Sequence, residues 1–338
     1  MTEKKKKGRV TLQDIATTAG VSRTTVYAVL NEGKKITTGV SKALRVKIQE
    51  TVHDLGYIPN NLARSLVSGK TRNVGVILAN YRMMDDFADV FDKNGYMIFP
   101  LIHKKDPLHE KRCIELLISR GCDAIIIART SPGNNTELLQ RVMDHGIPLI
   151  LLAEAHEGFP QARHVIFNEH RGMQLPVEFL AAHGVRRFAL PTCNASYQAD
   201  TRSRYAAAAI RKLPDSEIIE YPHCDDRRGV LKAAAAIRQL SPEKRPQAMI
   251  SSGDLNAWLM IEALRVVGLR VPEDIRITGI GNDCARHHLI TLTTVELSSL
   301  KMAEYCYQAF NDELNQCPGR LYVVEPQLIV RESAPAWL

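Results

Sequence analysis

Side chains able to do chemistry are sparse in this sequence of 338 residues, and where they gather they lack the spacing a catalyst needs. Gly279-Ile280-Gly281-Asn282 contains a G-x-G, but a third glycine and a following helix entry are missing, so no dinucleotide site follows. His287-His288 lie on a polar stretch with no acidic or cysteine partner at ligand spacing, and a solvated loop is preferred over a metal site. No P-loop, nucleophile elbow or HExxH occurs. The seven cysteines include no CxxC and no short paired spacing, which argues against zinc and against a disulfide framework. The reading is not an enzyme, with no cofactor and no metal.

What does gather is positive charge. Residues 1–72 hold 14 Lys and Arg against 5 Asp and Glu, a surplus of nine. That leaves 30 of the 44 basic and 32 of the 37 acidic residues for 73–338, which is −2. A basic module on a near-neutral body is the footprint of phosphate-backbone binding. Lys4 to Lys7 could be a solvated or tag-like run; without them the module still carries +5. The rest of the composition, 45% hydrophobic and 24% charged, is that of a globular protein of about two or three domains. No run of about 18 apolar residues and no signal-type apolar core follows the basic start. The chain reads as cytoplasmic, with no membrane role.

The elements that position this charge begin with Thr11-Leu12-Gln13-Asp14, which reads as a capping box opening a short helix to about Thr18. Ala19-Gly20-Val21 turns the chain, and Ser22 is a natural N-cap for a second helix from Arg23 to Leu30 with Val26, Val29 and Leu30 inward. Two short helices joined by a tight turn form a helix-turn-helix, whose second helix enters the major groove by its N-terminal residues. A third helix runs from about Lys42 to Leu55 on an apolar stripe of Leu44, Ile48, Val52 and Leu55, with Gly56 at its end.

Thr11 to Asn31, together with the segment from Tyr57-Ile58-Pro59-Asn60-Asn61-Leu62 to Asn73-Val74-Gly75-Val76, closely resembles the lactose-repressor/galactose-repressor (LacI/GalR) family of bacterial transcription regulators. Further matches are Val271-Pro272-Glu273-Asp274, Leu292-Thr293-Thr294-Val295 and Ile329-Val330-Arg331-Glu332-Ser333, so the resemblance spans nearly the whole chain. It implies a helix-turn-helix DNA-binding domain over 1–58, a hinge helix and linker over 59–72, and an effector-binding and dimerisation body over 73–338. By position, the groove-reading residues fall on Arg23 and Thr24, and the phosphate contacts on Thr11, Ser22, Thr25, Asn31 and Ser41. Hydroxyls and amides at helix N-termini suit phosphate oxygens, and Arg can be bidentate to guanine. Helix capping explains Thr11 and Ser22 equally well and is compatible with phosphate contact. Where the family usually has Ser-Arg, this chain has Tyr27-Ala28, so Tyr27 would stack on sugar or meet a thymine methyl. The loop Glu32 to Val40 is longer than in the lactose repressor and carries Lys34 and Lys35.

The hinge, with Ala63 and Leu66, resembles a segment that becomes helical only on the operator. Leu66 would wedge between base steps at the centre of a pseudo-palindrome, at an unstacking cost offset by a kinked duplex. The alternative is that Leu62 and Leu66 pack against the body.

In the body, apolar runs at Val74–Leu78, Met97–Ile102, Ala124–Ile127, Pro148–Leu152, Arg187–Leu190, Ala248–Ile250 and Ile275–Thr278 predict strands. Helical patterns between them predict parallel sheets covered on both faces. The resemblance implies an N-terminal all-α DNA-binding domain plus an α/β periplasmic-binding-protein-like body of two doubly wound subdomains, crossing near residues 164 and 295. The ligand would lie in the cleft, at the strand carboxyl ends.

The effector positions implied are Arg204 and Asp254, with Ser196 and Asn168 in support. A surface salt bridge for Arg204 and a helix N-cap for Asp254 are the alternatives. Departures from the family point to a reshaped pocket. The stretch Asn80 to Asn94 is short, Ala153 stands at an acidic position, and Ala207-Ala208 replaces a Gly-aromatic pair. The effector would be a sugar, a sugar acid or a sugar phosphate.

The leading function is a repressor that binds an operator as a homodimer, with affinity set by that small molecule. Beside it stand a cytosolic ligand-binding module without a DNA role, and a regulator whose pocket has lost its effector. The chain ends without the heptad tail that joins lactose-repressor dimers into tetramers.

Overall fold

A computed structural model describes residues 10–30, 40–58, 65, 69–131, 133–153, 158–192, 197–222, 227–282 and 291–336. The chain divides into two compact units, 1–71 and 72–338.

The first unit is three helices, α1 (Leu12–Ala19), α2 (Arg23–Leu30) and α3 (Lys42–Asp54). Thr11 caps α1: its hydroxyl accepts the Asp14 amide at 3.3 Å, while the Asp14 carboxylate accepts the Thr11 amide at 2.7 Å. Gly20 closes the helix at φ +71°, a left-handed conformation that glycine adopts without a Cβ penalty. Ile15, Ala16, Ala19, Val26, Val29 and Ile48 form the small core, with Leu30, Leu44, Val52 and Leu55 packed around it.

The second unit holds two sheets. The first contains β1 (Asn73–Leu78), β2 (Met97–Ile102), β3 (Ala124–Ala128), β4 (Leu149–Ala153), β5 (Arg163–Phe167) and β11 (Leu321–Val324). Its order is β11-β5-β4-β3-β1-β2, all parallel. Helices α4 (Met84–Lys93) and α11 (Ser299–Leu314) cover one face through Val74, Val76, Phe87, Phe91 and Phe310. Helices α5 (Pro107–Ser119) and α6 (Thr136–Asp144) cover the other through Ile77, Ile114, Leu117 and Leu139.

The second sheet has the order β12-β10-β9-β8-β6-β7. Its strands are β6 (Arg187–Thr192), β7 (Glu217–Pro222), β8 (Ala248–Ile250), β9 (Arg276–Gly281), β10 (Thr293–Glu296) and β12 (Gln327–Ile329). Only β12 among the described strands runs antiparallel to its neighbour. Helices α7 (Glu169–Ala182) and α8 (Tyr197–Ile210) cover one face, and α9 (Arg227–Gln239) and α10 (Asp254–Val266) the other. Two doubly wound α/β subdomains result.

Three passages connect them. The chain leaves the first sheet at Asn168, between β5 and α7, four residues beyond the expected point. It returns after β10 through α11, just past the expected residue 295. A third passage, Glu325-Pro326, joins β11 to β12. The sequence did not announce it, because β11 and β12 are partly exposed edge strands of four and three residues, too short to show a periodicity.

Candidate functional sites

The helix-turn-helix presents a hydroxyl cluster at the entrance of α2. Ser22 Oγ lies 2.7 Å from Thr24 Oγ1 and 2.8 Å from Thr25 Oγ1, and it accepts the Thr25 amide at 3.1 Å. Arg23 and Thr24 are exposed on the same turn, and the described first turn of α2 carries no acidic residue. A helix N-terminus with exposed hydroxyls and a guanidinium is suited to phosphate and base edges. Ser41 is exposed and caps α3 by accepting the Leu44 amide at 3.3 Å. Tyr27 is half-buried one turn into α2. Asn31, Ala63 and Leu66 lie outside the described residues, as does the loop carrying Lys34 and Lys35.

In the body, the parallel strands of the second sheet bring their carboxyl ends, and the starts of α8 and α10, to one side. Asp254, the first residue of α10, is 2% exposed, and its carboxylate accepts the Thr294 hydroxyl at 2.6 Å. Gly253, not Asp254, occupies the N-cap position. The carboxylate lies against Gly279, where any Cβ would collide with it. The first glycine of this G-x-G is thus explained by packing: it lets a carboxylate approach the strand backbone.

Arg204 is exposed on α8, with Nη2 3.3 Å from the Thr201 hydroxyl. Two residues earlier, Arg202 turns inward. Its Nε and Nη2 donate to Glu169 Oε1 at 3.2 and 2.7 Å, and Nη1 donates to the Ser252 carbonyl at 2.9 Å. Both side chains of this pair are largely buried, at 12% and 13% exposed. The sequence reading missed Arg202, Glu169 and Ser252. The available signal was helical phase: positions i and i+2 lie about 200° apart on a helix, so Arg202 and Arg204 cannot share a face.

Asn168 is at the first passage, where its Oδ1 accepts the Arg171 amide at 3.1 Å and caps α7. Its Nδ2 donates to Glu325 at 3.0 Å. Ser196 lies outside the described residues, as do His287 and His288. Among the described residues no helix is long and apolar enough to cross a membrane.

Residues 11–60 match the family model of bacterial regulatory proteins, lacI family, and residues 177–334 match that of a periplasmic binding protein-like domain. The chain belongs to the LacI/GalR family. Among LacI/GalR relatives, the transcriptional repressor PurR of Haemophilus influenzae is 27% identical over 356 residues, covering 97% of this chain and 99% of that protein. PurR of Aliivibrio salmonicida is 24% identical over 96% of this chain and 98% of its own. The lac repressor dimer bound to operator and the anti-inducer ONPF superposes with a TM-score of 0.78 at 22% identity, covering 97% of this chain and all of that one. The regulator CelR in complex with cellobiose gives 0.64 at 20% identity, covering 96% and 100%. As a LacI/GalR member with this head, the chain is a DNA-binding transcriptional regulator and not an enzyme.

Proposed function

We propose that this regulator is a cytoplasmic repressor that binds a pseudo-palindromic operator as a homodimer and answers to a small molecule in the cleft of its body. The observation that carries the DNA part is the α2 entrance, where exposed Arg23 and Thr24 stand beside the Ser22–Thr25 hydroxyls on a module with a nine-charge surplus. Arg23 and Thr24 read base edges, while Thr11, Ser22, Thr25, Asn31 and Ser41 hold phosphates. Tyr27 meets sugar or a thymine methyl, and the hinge with Ala63 and Leu66 enters the minor groove at the centre of the site.

The effector is of the sugar, sugar-acid or sugar-phosphate class, bound at the strand carboxyl ends of the body near Arg204, Asp254 and Ser196. Relatives crystallised with cellobiose, glucose and sucrose support the class. Such a ligand regulates only by binding two states of the body with different affinities.

The test is a fluorescence-anisotropy titration of the full chain on duplex DNA that it has selected from a randomised pool, repeated from low to high salt. Affinity for the selected duplex should exceed that for a scrambled one by ~10³ or more. Log affinity should fall linearly with log salt, at about 0.9 per phosphate neutralised. Equal affinity for the scrambled duplex would overturn the reading.

A further inference from the structure

The passage at Asn168 uses every polar group that residue has. Its amide donates to the Val324 carbonyl at 3.1 Å and its carbonyl accepts the Gly172 amide at 2.9 Å. Its side-chain Oδ1 accepts the Arg171 amide at 3.1 Å, which fixes the orientation of the side chain and turns Nδ2 onto both Glu325 oxygens at 3.0 and 3.3 Å. Glu325 belongs to the third passage, so one side chain ties the first connection between the subdomains to the third. The second connection is tied separately: Glu296 accepts from Asn282 at 3.0 Å, and Asn282 accepts from Arg331 at 2.9 Å. A ligand at Asn168 would have to displace one of these bonds.

We propose that Asn168 is a positioning residue of the inter-subdomain hinge, coupled to Glu325, and not a contact to the effector. The inference rests on the regulatory reading above, in which the arrangement of the body sets operator affinity. Its physical basis is that two covalent connections joined by a charge-assisted hydrogen bond move as one, and such a bond is about twice as strong as a neutral one. Rotation of one subdomain against the other is thereby restricted to motions that keep Asn168 and Glu325 together.

Reversing the pair tests this. In Asn168→Asp the new carboxylate still caps α7, since Asp is as good an N-cap as Asn. It has no donor for Glu325, however, and it repels that carboxylate. In the double variant N168D/E325Q the amide and carboxylate are exchanged between the two passages, and the bond can form again. Two measurements on the full chain are needed: hydrogen exchange of peptides covering residues 164–170 and 322–328, and affinity for the duplex selected by the wild type. N168D should speed exchange in both peptides and weaken binding about two- to fivefold, the size expected when a solvent-exposed bond to a charged group is lost. N168D/E325Q should return both close to wild type. Wild-type exchange in N168D, or a double variant no better than the single, would overturn the proposal, because a ligand contact at Asn168 would not be rescued from position 325. If the wild type selects no DNA, the regulatory reading fails while the exchange measurement still decides the hinge.

Discussion

Arg23 and Thr24 have little to do for the fold. Both are exposed on the first turn of α2, whose inward residues are Val26 and Val29, so their substitution reports on recognition with little folding cost. A guanidinium presents parallel donors that match guanine O6 and N7, whereas an ammonium is a point charge that supplies the same phosphate attraction without the fork. Arg23→Lys is therefore expected to keep the salt slope on the selected duplex while losing ~1–3 kcal/mol of discrimination at one base pair per half-site. Selection of duplexes by the variant, followed by sequencing, measures this directly. A uniform loss across all positions would mean that Arg23 meets phosphate and not a base. Ser22 is a different case, because its hydroxyl also caps the helix, and a substitution there mixes both effects.

At the scale of elements, the head was legible in the sequence because its signals are local. A capping box, a glycine turn and an apolar stripe at helical spacing define α1 to α3 without help from distant residues. The central strands of the body were legible for a related reason: strands buried on both faces read as continuous apolar runs. What escaped were β5 and β10 inside the sheets, whose sequences RHVIF and TTVE mix polar residues into the apolar run. The short or half-exposed β7, β11 and β12 at the edges escaped too, as did the inward turn of Arg202, which depends on where Glu169 lies 33 residues away. That pair bridges the start of α7, the body of α8 and the turn after β8. Removing one partner of a largely buried ion pair leaves the other uncompensated, at a cost of ~3–5 kcal/mol. Arg202→Ala should therefore lower the stability of the body by roughly that amount, discounted for the eighth of each side chain still exposed. The double variant R202M/E169L should recover much of the loss. Arg204→Ala should leave stability within ~0.5 kcal/mol, as for most surface sites. Urea unfolding of the three variants separates them, and an Arg202→Ala midpoint equal to that of Arg204→Ala would refute the assignment.

At the scale of the whole molecule, the two units differ in how much core supports them. Among the described residues, the head's core is six buried hydrophobic side chains, whereas the body has four clusters built on two sheets. A core of the head's size supplies only ~3–5 kcal/mol, so calorimetry of the full chain should show two transitions with the head melting first. Acid should lower both transitions, because Glu243, Asp274 and Glu332 in the body are held below the ordinary carboxylate range by hydrogen bonds just as one carboxylate of the head is. The head's share is traceable to a single residue. The Asp14 carboxylate accepts both the amide and the hydroxyl of Thr11, and these bonds hold its pKa below the ordinary aspartate range. A carboxylate depressed in the folded state contributes stability that is complete above its unfolded value, about 4, and is lost as pH falls through the lower folded value. The first transition should thus hold steady from pH 7 to about 5 and fall in temperature below about 4. In Asp14→Asn that acid slope should flatten while the body transition falls as in the wild type. Selected duplex at about 100 times its Kd should raise the first transition, through ~2.7 kcal/mol of binding linkage. A single transition at every pH, or the same acid slope in Asp14→Asn, would show that the head is not the independent and weakly held unit its small core implies.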